Sequence, residues 1–265
     1  MTQHAFKNSI VTISKKVLPV AARNMLMRFA ATIAYDEFRK LAHSFAYAPS
    51  MHLGLQEIAK RGFQPKTILD IGAFEGKWTA LVAEIWPQAH FIMVEPNIAK
   101  KDLLENQVRG VDAEIHFCLL GAEDGKTVPF AFMEAGSSVL EERSDVPRKI
   151  VELPLTRLDT LLDCRSDIDL MKVDAQGYEL EILKGASNAL KGTKAVILEV
   201  ALIEINRGAP LMHEVIRFMH EIGFISYEVL EFHRRPLDRA LNQIDIFFVR
   251  EDSPLIQDKR HHASS

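Results

Sequence analysis

The sequence predicts a doubly wound α/β fold around a mostly parallel sheet, and three observations carry that reading. Strand-length apolar runs alternate with amphipathic helical stretches along most of the chain. Two of those runs, Thr67–Leu69 and Phe91–Val94, end on an acid, Asp70 and Glu95. Between them the chain turns through Gly72 and Gly76 into a helix, the strand, turn and helix order of a nucleotide-type binding loop.

The elements follow in order. Leu53–Arg61 has helical periodicity and is stopped by Gly62, and the β-branched run at Thr67 is the first strand. A helix over Trp78–Trp86, a strand at Phe91 and a helix over Ile98–Val108 complete a βαβ unit. Ile115–Leu120 reads as the next strand, and Val128–Phe132 with Ile150–Leu155 as added strands around a polar loop. Asp159 is expected to cap a short helix. Ile168–Asp174 and Val196–Val200 are two further strands, separated by a helical stretch over Tyr178–Leu190. Met212–Ile222 is helical, and Ile225–Leu230 with Ile244–Val249 finish the sheet. There is no internal repeat, and the only biased segment is the short tail His261–Ser265.

Composition narrows the function classes. A chain of 265 residues, 48% hydrophobic, buries the core of one enzyme-sized domain. A net charge of -4 gives no basic field for nucleic acid. Cys118 and Cys164 lack C-x-x-C spacing, which argues against a disulfide framework or zinc site and for a reducing compartment. Before residue 48 the apolar stretches are broken by Lys15, Lys16, Arg23, Arg28, Asp36 and Glu37, so a spanning helix or secretion signal is not expected and the predicted location is cytoplasmic. Val17, Val20, Asn24, Met27, Ala31 and Ala34 fall near one helical face. That helix either docks on the catalytic domain or a second subunit, or rests a basic face on a membrane surface. The expected divisions are a helical extension at 1–47, a catalytic domain at 48–251 and a tail at 252–265.

The glycine turn bears on cofactor chemistry. Gly72 lets a ligand approach the backbone, Gly76 lets the helix start pack against the strand, and the free amides of that helix start point toward the ligand. A pyrophosphate site has a glycine where this chain has Phe74, whose ring argues against a dinucleotide. Glu95, one strand later, is placed to accept hydrogen bonds from ribose hydroxyls. A ribose without a pyrophosphate points to S-adenosylmethionine. The alternative is that Asp70 and Glu95 only cap the turns after their strands.

Four segments together resemble an FkbM-family methyltransferase: Leu69–Gly76, Val94–Asn97, Met171–Glu181 and Val196–Val200. Shorter echoes are Leu120–Gly125, Gly136–Ser138, Leu155–Asp159 and Lys184–Ala186, and the likeness spans roughly residues 50–250. The resemblance implies a Rossmann-like methyltransferase sheet with an antiparallel last strand, S-adenosylmethionine as cofactor, and a hydroxyl acceptor, including those of sugars. This chain has Gln176 where many relatives have an acid, which weakens any metal site there, and no metal ligand is assigned.

In such a sheet, ligands sit beyond the carboxyl ends of the strands. Asp70, Gly72, Ala73, Phe74 and Gly76 then hold the cofactor, with Asp70 orienting the loop or the amino acid end; Glu95 and Pro96 face the ribose, and Leu120–Gly121 the adenine edge. Asp174 and Glu199 are left toward the reaction space, Asp174 also beside the cofactor, and Glu199 could equally be a cap or a surface ion pair. Methyl transfer to an alcohol requires a proton acceptor, for which Asp174 is the first candidate, with Glu199, His213 and His233 as alternatives. Ser137, Ser138 and Gln176 offer polar groups to a polyhydroxylated acceptor, though Gly136–Ser138 also reads as an ordinary turn. Competing readings are an NAD-dependent oxidoreductase and a non-catalytic scaffold. The expected partners are a small-molecule or glycan substrate, with a homo-oligomer or peripheral membrane contact left open.

Overall fold

The computed structural model describes residues 49–133, 136–144 and 146–262, so the helix expected within 1–47 lies outside the described residues. The main sheet has seven strands. In chain order the first group is β1 (Thr67–Ile71), β2 (His90–Val94) and β3 (Ala113–His116), parallel to one another. The second is β7 (Leu170–Val173) and β8 (Ala195–Ala201), parallel to β1, followed by β9 (Phe224–Arg234) and β10 (Leu241–Arg250). Their spatial order is β3-β2-β1-β7-β8-β10-β9, with β10 antiparallel to both neighbours. The chain reverses its direction of travel across the sheet between β1 and β7, so a crevice opens at the carboxyl ends of those two strands.

Alternate residues of each strand feed two cores. Leu69, Ile71, Ile92, Val94, Met171, Val173 and Leu198 pack with α5 (Glu179–Lys184), α6 (Ala189–Gly192) and α7 (Met212–Glu221). Ile68, Phe91, Met93, Leu170, Ile197 and Phe247 pack with α1 (Met51–Lys60), α2 (Lys77–Ile85) and α3 (Lys101–Gln107). Strands covered on both faces need continuous apolar runs, which is why TILDI and HFIMV read as strands without polar alternation.

Three expectations are corrected in detail. Ile115–Leu120 is two strands: β3 stays in the main sheet, while β4 (Leu119–Leu120) leaves it to pair with β6 (Lys149–Thr156), itself antiparallel to β5 (Thr127–Phe132). That small sheet closes over its own cluster of Leu119, Val128, Phe130 and Leu155. Tyr178–Leu190 is likewise broken into α5 and α6. Asp159 sits inside the short helix α4 (Leu158–Leu161) rather than at its start; its buried carboxylate accepts the amides of Asn188 at 2.9 Å and Ala189 at 3.1 Å, so it caps α6. Beyond β10, Leu255 and Ile256 of the turn Pro254–Ile256 pack on the second core.

Candidate active site

The crevice holds a cavity of about 230 Å³ beside the glycine turn. Gly72, Phe74, Glu95 and Pro96 line it from β1 and β2, Cys118, Leu119, Leu120 and Phe130 from the small sheet, and Ser137, Asp174, Gln176 and Tyr178 from the other side. Among the described residues, Glu95 and Asp174 are its only acidic linings, and no lysine or arginine lines it. A dianionic pyrophosphate has no partner in such a cavity, whereas a cationic ligand with a flat apolar part fits the acids at one end and the Cys118–Leu120 and Phe130 wall at the other. Burial pushes the Cys118 thiol up to about 11, so that wall carries a neutral thiol.

Each expected cofactor residue has a definite place. Gly72 adopts φ +79°, and a Cβ there would lie 2.0 Å from the Asp174 carbonyl oxygen; β7, not a ligand, fills that space. Gly76, at φ +76°, faces Val108 and Gln107 at the end of α3 rather than the strand. Ala73 is buried in the second core, and the start of α2 does not line the cavity, because Phe74 turns through φ +49° in front of it and stacks its ring 4.1 Å from the Lys100 ammonium. Glu95 accepts the Phe74 amide and the Asn97 amide, each at 2.8 Å, while still lining the cavity, so it fixes both turns and keeps lone pairs toward the ligand. Burial raises its carboxyl above the ordinary range despite those two amides.

Asp70 lies away from the cavity. Fully buried, it accepts the Thr79 hydroxyl at 2.7 Å, tying the end of β1 to α2, and its other oxygen is 3.7 Å from the Lys172 ammonium. Gly121 also stays out of the cavity: a Cβ on it would meet Leu155, and its own carbonyl occupies the space beside Gly185. Ser138 is buried, with its hydroxyl donating to the Gln176 carbonyl at 3.1 Å and accepting the Leu140 amide. Ser137 lines the cavity but exchanges hydrogen bonds with the Met133 backbone. His213 is exposed on α7 and does not line it.

Beyond the cavity, the carboxyl ends of β7 and β8, the amino-terminal half of the antiparallel β10 and the last residues of β9 bring together a polar network. Asp174 accepts from Lys172 at 3.2 Å and from the Gln176 side-chain amide at 2.8 Å. The same Gln176 nitrogen donates to Glu199 at 2.8 Å, and the Gln243 amide donates to that Glu199 oxygen at 2.6 Å. His233 bonds Asp245 at 2.7 Å and lies 4.0 Å from Glu199. Glu179 accepts the Ala175 and Gly177 amides, which fixes the turn, and burial raises its carboxyl to about 7. Gln176 itself has φ +53°, a strained conformation for a residue with a side chain.

The network sets two acids apart. Burial acts to raise the Asp174 carboxyl, but the Lys172 ammonium and the Gln176 amide outweigh it and hold Asp174 below the usual aspartate range. Burial pushes Glu199 well above its ordinary value, and the charges of Asp174 and Asp245 push the same way. Lys172, buried between Asp70 and Asp174 and 5.6 Å from the Trp78 ring, is raised by its acidic neighbours against the effect of burial. Sequence reasoning passed over Lys172, Gln243 and Asp245. A lysine inside the apolar run Ile168–Val173 was the available signal, since an ammonium in a covered strand requires an acidic partner.

A methyltransferase domain described as FkbM matches residues 70–226, from the glycine turn through α7. The chain belongs to the FkbM methyltransferase family. No curated protein sequence matches it significantly. Among solved structures, the N-terminal domain of EvdMO1 in the presence of S-adenosylhomocysteine and D-fucose is 12% identical, with TM-score 0.48, covering 76% of this chain and 83% of that one. A precorrin-6y C5,15-methyltransferase from Geobacter metallireducens is 11% identical, TM-score 0.43, over 74% and 86%. A TehB-like S-adenosylmethionine-dependent methyltransferase from Corynebacterium glutamicum is 10% identical, TM-score 0.41, over 84% and 99%.

The cofactor of this FkbM methyltransferase is S-adenosylmethionine, which supplies an electrophilic methyl group on a sulfonium. The residues fit it: among the described residues two acids and no lysine or arginine line the cavity, which suits a cation, and Phe74 stands where a pyrophosphate would need glycine. Glu95, Pro96, Phe74 and Asp174 would hold the cofactor's polar groups, and Leu119, Leu120 and Phe130 its adenine. Among the described residues no helix is long and apolar enough to cross a membrane.

Proposed function

We propose that this FkbM methyltransferase methylates a hydroxyl oxygen of a sugar, glycan or related polyhydroxylated small molecule. The observation that carries the reading is the Gln176 amide bridging Asp174 and Glu199 at 2.8 Å each, next to the cofactor cavity. Two carboxylates with opposite shifts can divide two tasks. Asp174, kept ionised by Lys172, stabilises positive charge beside the cofactor, and Glu199, the stronger base, takes the acceptor's proton. Bound S-adenosylmethionine would supply the methyl carbon and its sulfur would keep the bonding electron pair, while Glu199 would take the proton that the acceptor hydroxyl loses as its oxygen is methylated. A methyl ether and S-adenosylhomocysteine result. Positioning by the rigid turns at Gly72 and Gln176 supplies most of the rate.

The crevice, lined by no lysine or arginine among the described residues, supports a small-molecule acceptor. Profiling methyl transfer from isotope-labelled S-adenosylmethionine into glycan and metabolite panels tests the reading. Label found in nitrogen or carbon rather than in an acid-stable methyl ether would refute it.

A further inference from the structure

Behind Gln176, on the side away from the cofactor cavity, lies a second opening of about 10 Å³, the room of one water molecule. Its polar lining is Gln176, Glu179, Glu199, Asn206 and Gln243, and Ala201 and Ala209 are its small apolar walls. Gln176 lines both openings, so the two share one side chain.

Asn206 supplies the independent sign of a ligand. Only 6% exposed, it donates its amide nitrogen to the Gln176 carbonyl at 2.6 Å, yet its side-chain oxygen has no partner. A buried acceptor left unpaired is costly, so such a group calls for a donor. Glu199 adds a second acceptor to the same opening: one of its oxygens takes both glutamine amides, while the other has only His233, at 4.0 Å. Among the described residues no lysine or arginine lines the opening, and Lys172 and His233 are already committed to Asp174 and Asp245.

We infer that this slot binds one neutral hydroxyl of the methyl acceptor, which donates toward Asn206 and Glu199, and that it excludes phosphate and carboxylate groups. The inference rests on the hydroxyl-methylating reading and deepens it: it assigns Asn206 and Gln243 to acceptor recognition, with Gln176 bordering both the slot and the cofactor cavity. Size and charge both enforce the choice. One water's volume does not admit a phosphate, and an anion there would face Glu199 and Glu179 with no lysine or arginine among the described lining residues.

The test uses the full chain saturated with S-adenosylhomocysteine, with the side-chain amides of Gln176, Asn206 and Gln243 followed by NMR during titration with myo-inositol and, separately, myo-inositol monophosphate. The expected result is a saturable shift of all three with inositol and a markedly weaker one with the phosphate. Ala201→Leu, which adds bulk to the lining of the slot while leaving its polar residues in the sequence, should abolish the inositol response while binding S-adenosylhomocysteine as the parent does. Absence of any response to inositol, an equal response to the phosphate, or a response that survives in Ala201→Leu overturns the inference. If S-adenosylhomocysteine itself leaves the Gly72 and Phe74 amides unmoved, the cofactor assignment fails instead, a result separate from the other three.

Discussion

Replacing Lys172 with Met removes the ammonium that stands 3.2 Å from Asp174 and 3.7 Å from Asp70 while keeping most of the side chain's volume. Removing one partner of a buried ion pair costs about 3–5 kcal/mol, because the other charge stays buried without compensation. Asp70 is wholly buried, but the Asp174 side chain is 33% exposed and water relieves part of its share. The expected loss is therefore at the lower end, about 3 kcal/mol, which for a domain of this size lowers the melting temperature by roughly 6–12 °C. Calorimetry at two pH values checks both magnitude and cause. In the parent, the depressed Asp174 carboxyl contributes stability that is present above its unfolded pKa and lost as pH falls through its folded one. In Lys172→Met, burial raises both carboxyls above their unfolded values, so the folded state takes up protons and gains relative stability as pH falls. The deficit should narrow between about pH 7 and about pH 5. A loss below about 1 kcal/mol, the worth of an exposed pair, or a deficit independent of pH would refute the electrostatic role of Lys172.

Other consequences follow from the same geometry. Gly72→Ala places a Cβ against the Asp174 carbonyl and should cost about 1–3 kcal/mol in urea unfolding together with cofactor affinity; parent stability with lost affinity would mean that Gly72 acts on the ligand alone. Glu95→Ala should weaken S-adenosylhomocysteine binding in calorimetric titration by about 1.5–3 kcal/mol, and a smaller loss would leave Glu95 as a cap for Phe74 and Asn97. Because burial raises the Glu95 carboxyl, that binding should weaken as pH falls into the mildly acidic range, a dependence missing from Glu95→Gln. With an acceptor in hand, Glu199→Gln should lose about 10²-fold or more in turnover with cofactor affinity held, whereas Asp174→Asn should affect affinity more than turnover; the reverse pattern would return the base to Asp174.

The sequence by itself determined the architecture. Continuous β-branched runs such as Thr67–Ile71 and Val196–Val200 can only be strands covered on both faces, and the Gly72 turn after one of them locates the crevice. The acids near strand ends were legible for the same reason: Asp70, Glu95, Asp174 and Glu199 each interrupt an apolar run within two residues of the end of its strand. Which way those acids point was not legible. Strand alternation and register placed Asp70 beside Thr79 and Lys172 in the interior, and aligned Glu199 with Asp245 on the neighbouring strand. Loop packing turned Ser138 inward onto the Gln176 carbonyl, and helix placement left His213 outside. The Gln176 bridge, the His233–Asp245 pair and the Asn206 slot join residues 23 or more positions apart in sequence or lying on separate strands. No local pattern encodes such contacts, because they exist only once β7, β8 and β10 are side by side, and it is their pairing in the sheet that separates a charged aspartate from a basic glutamate.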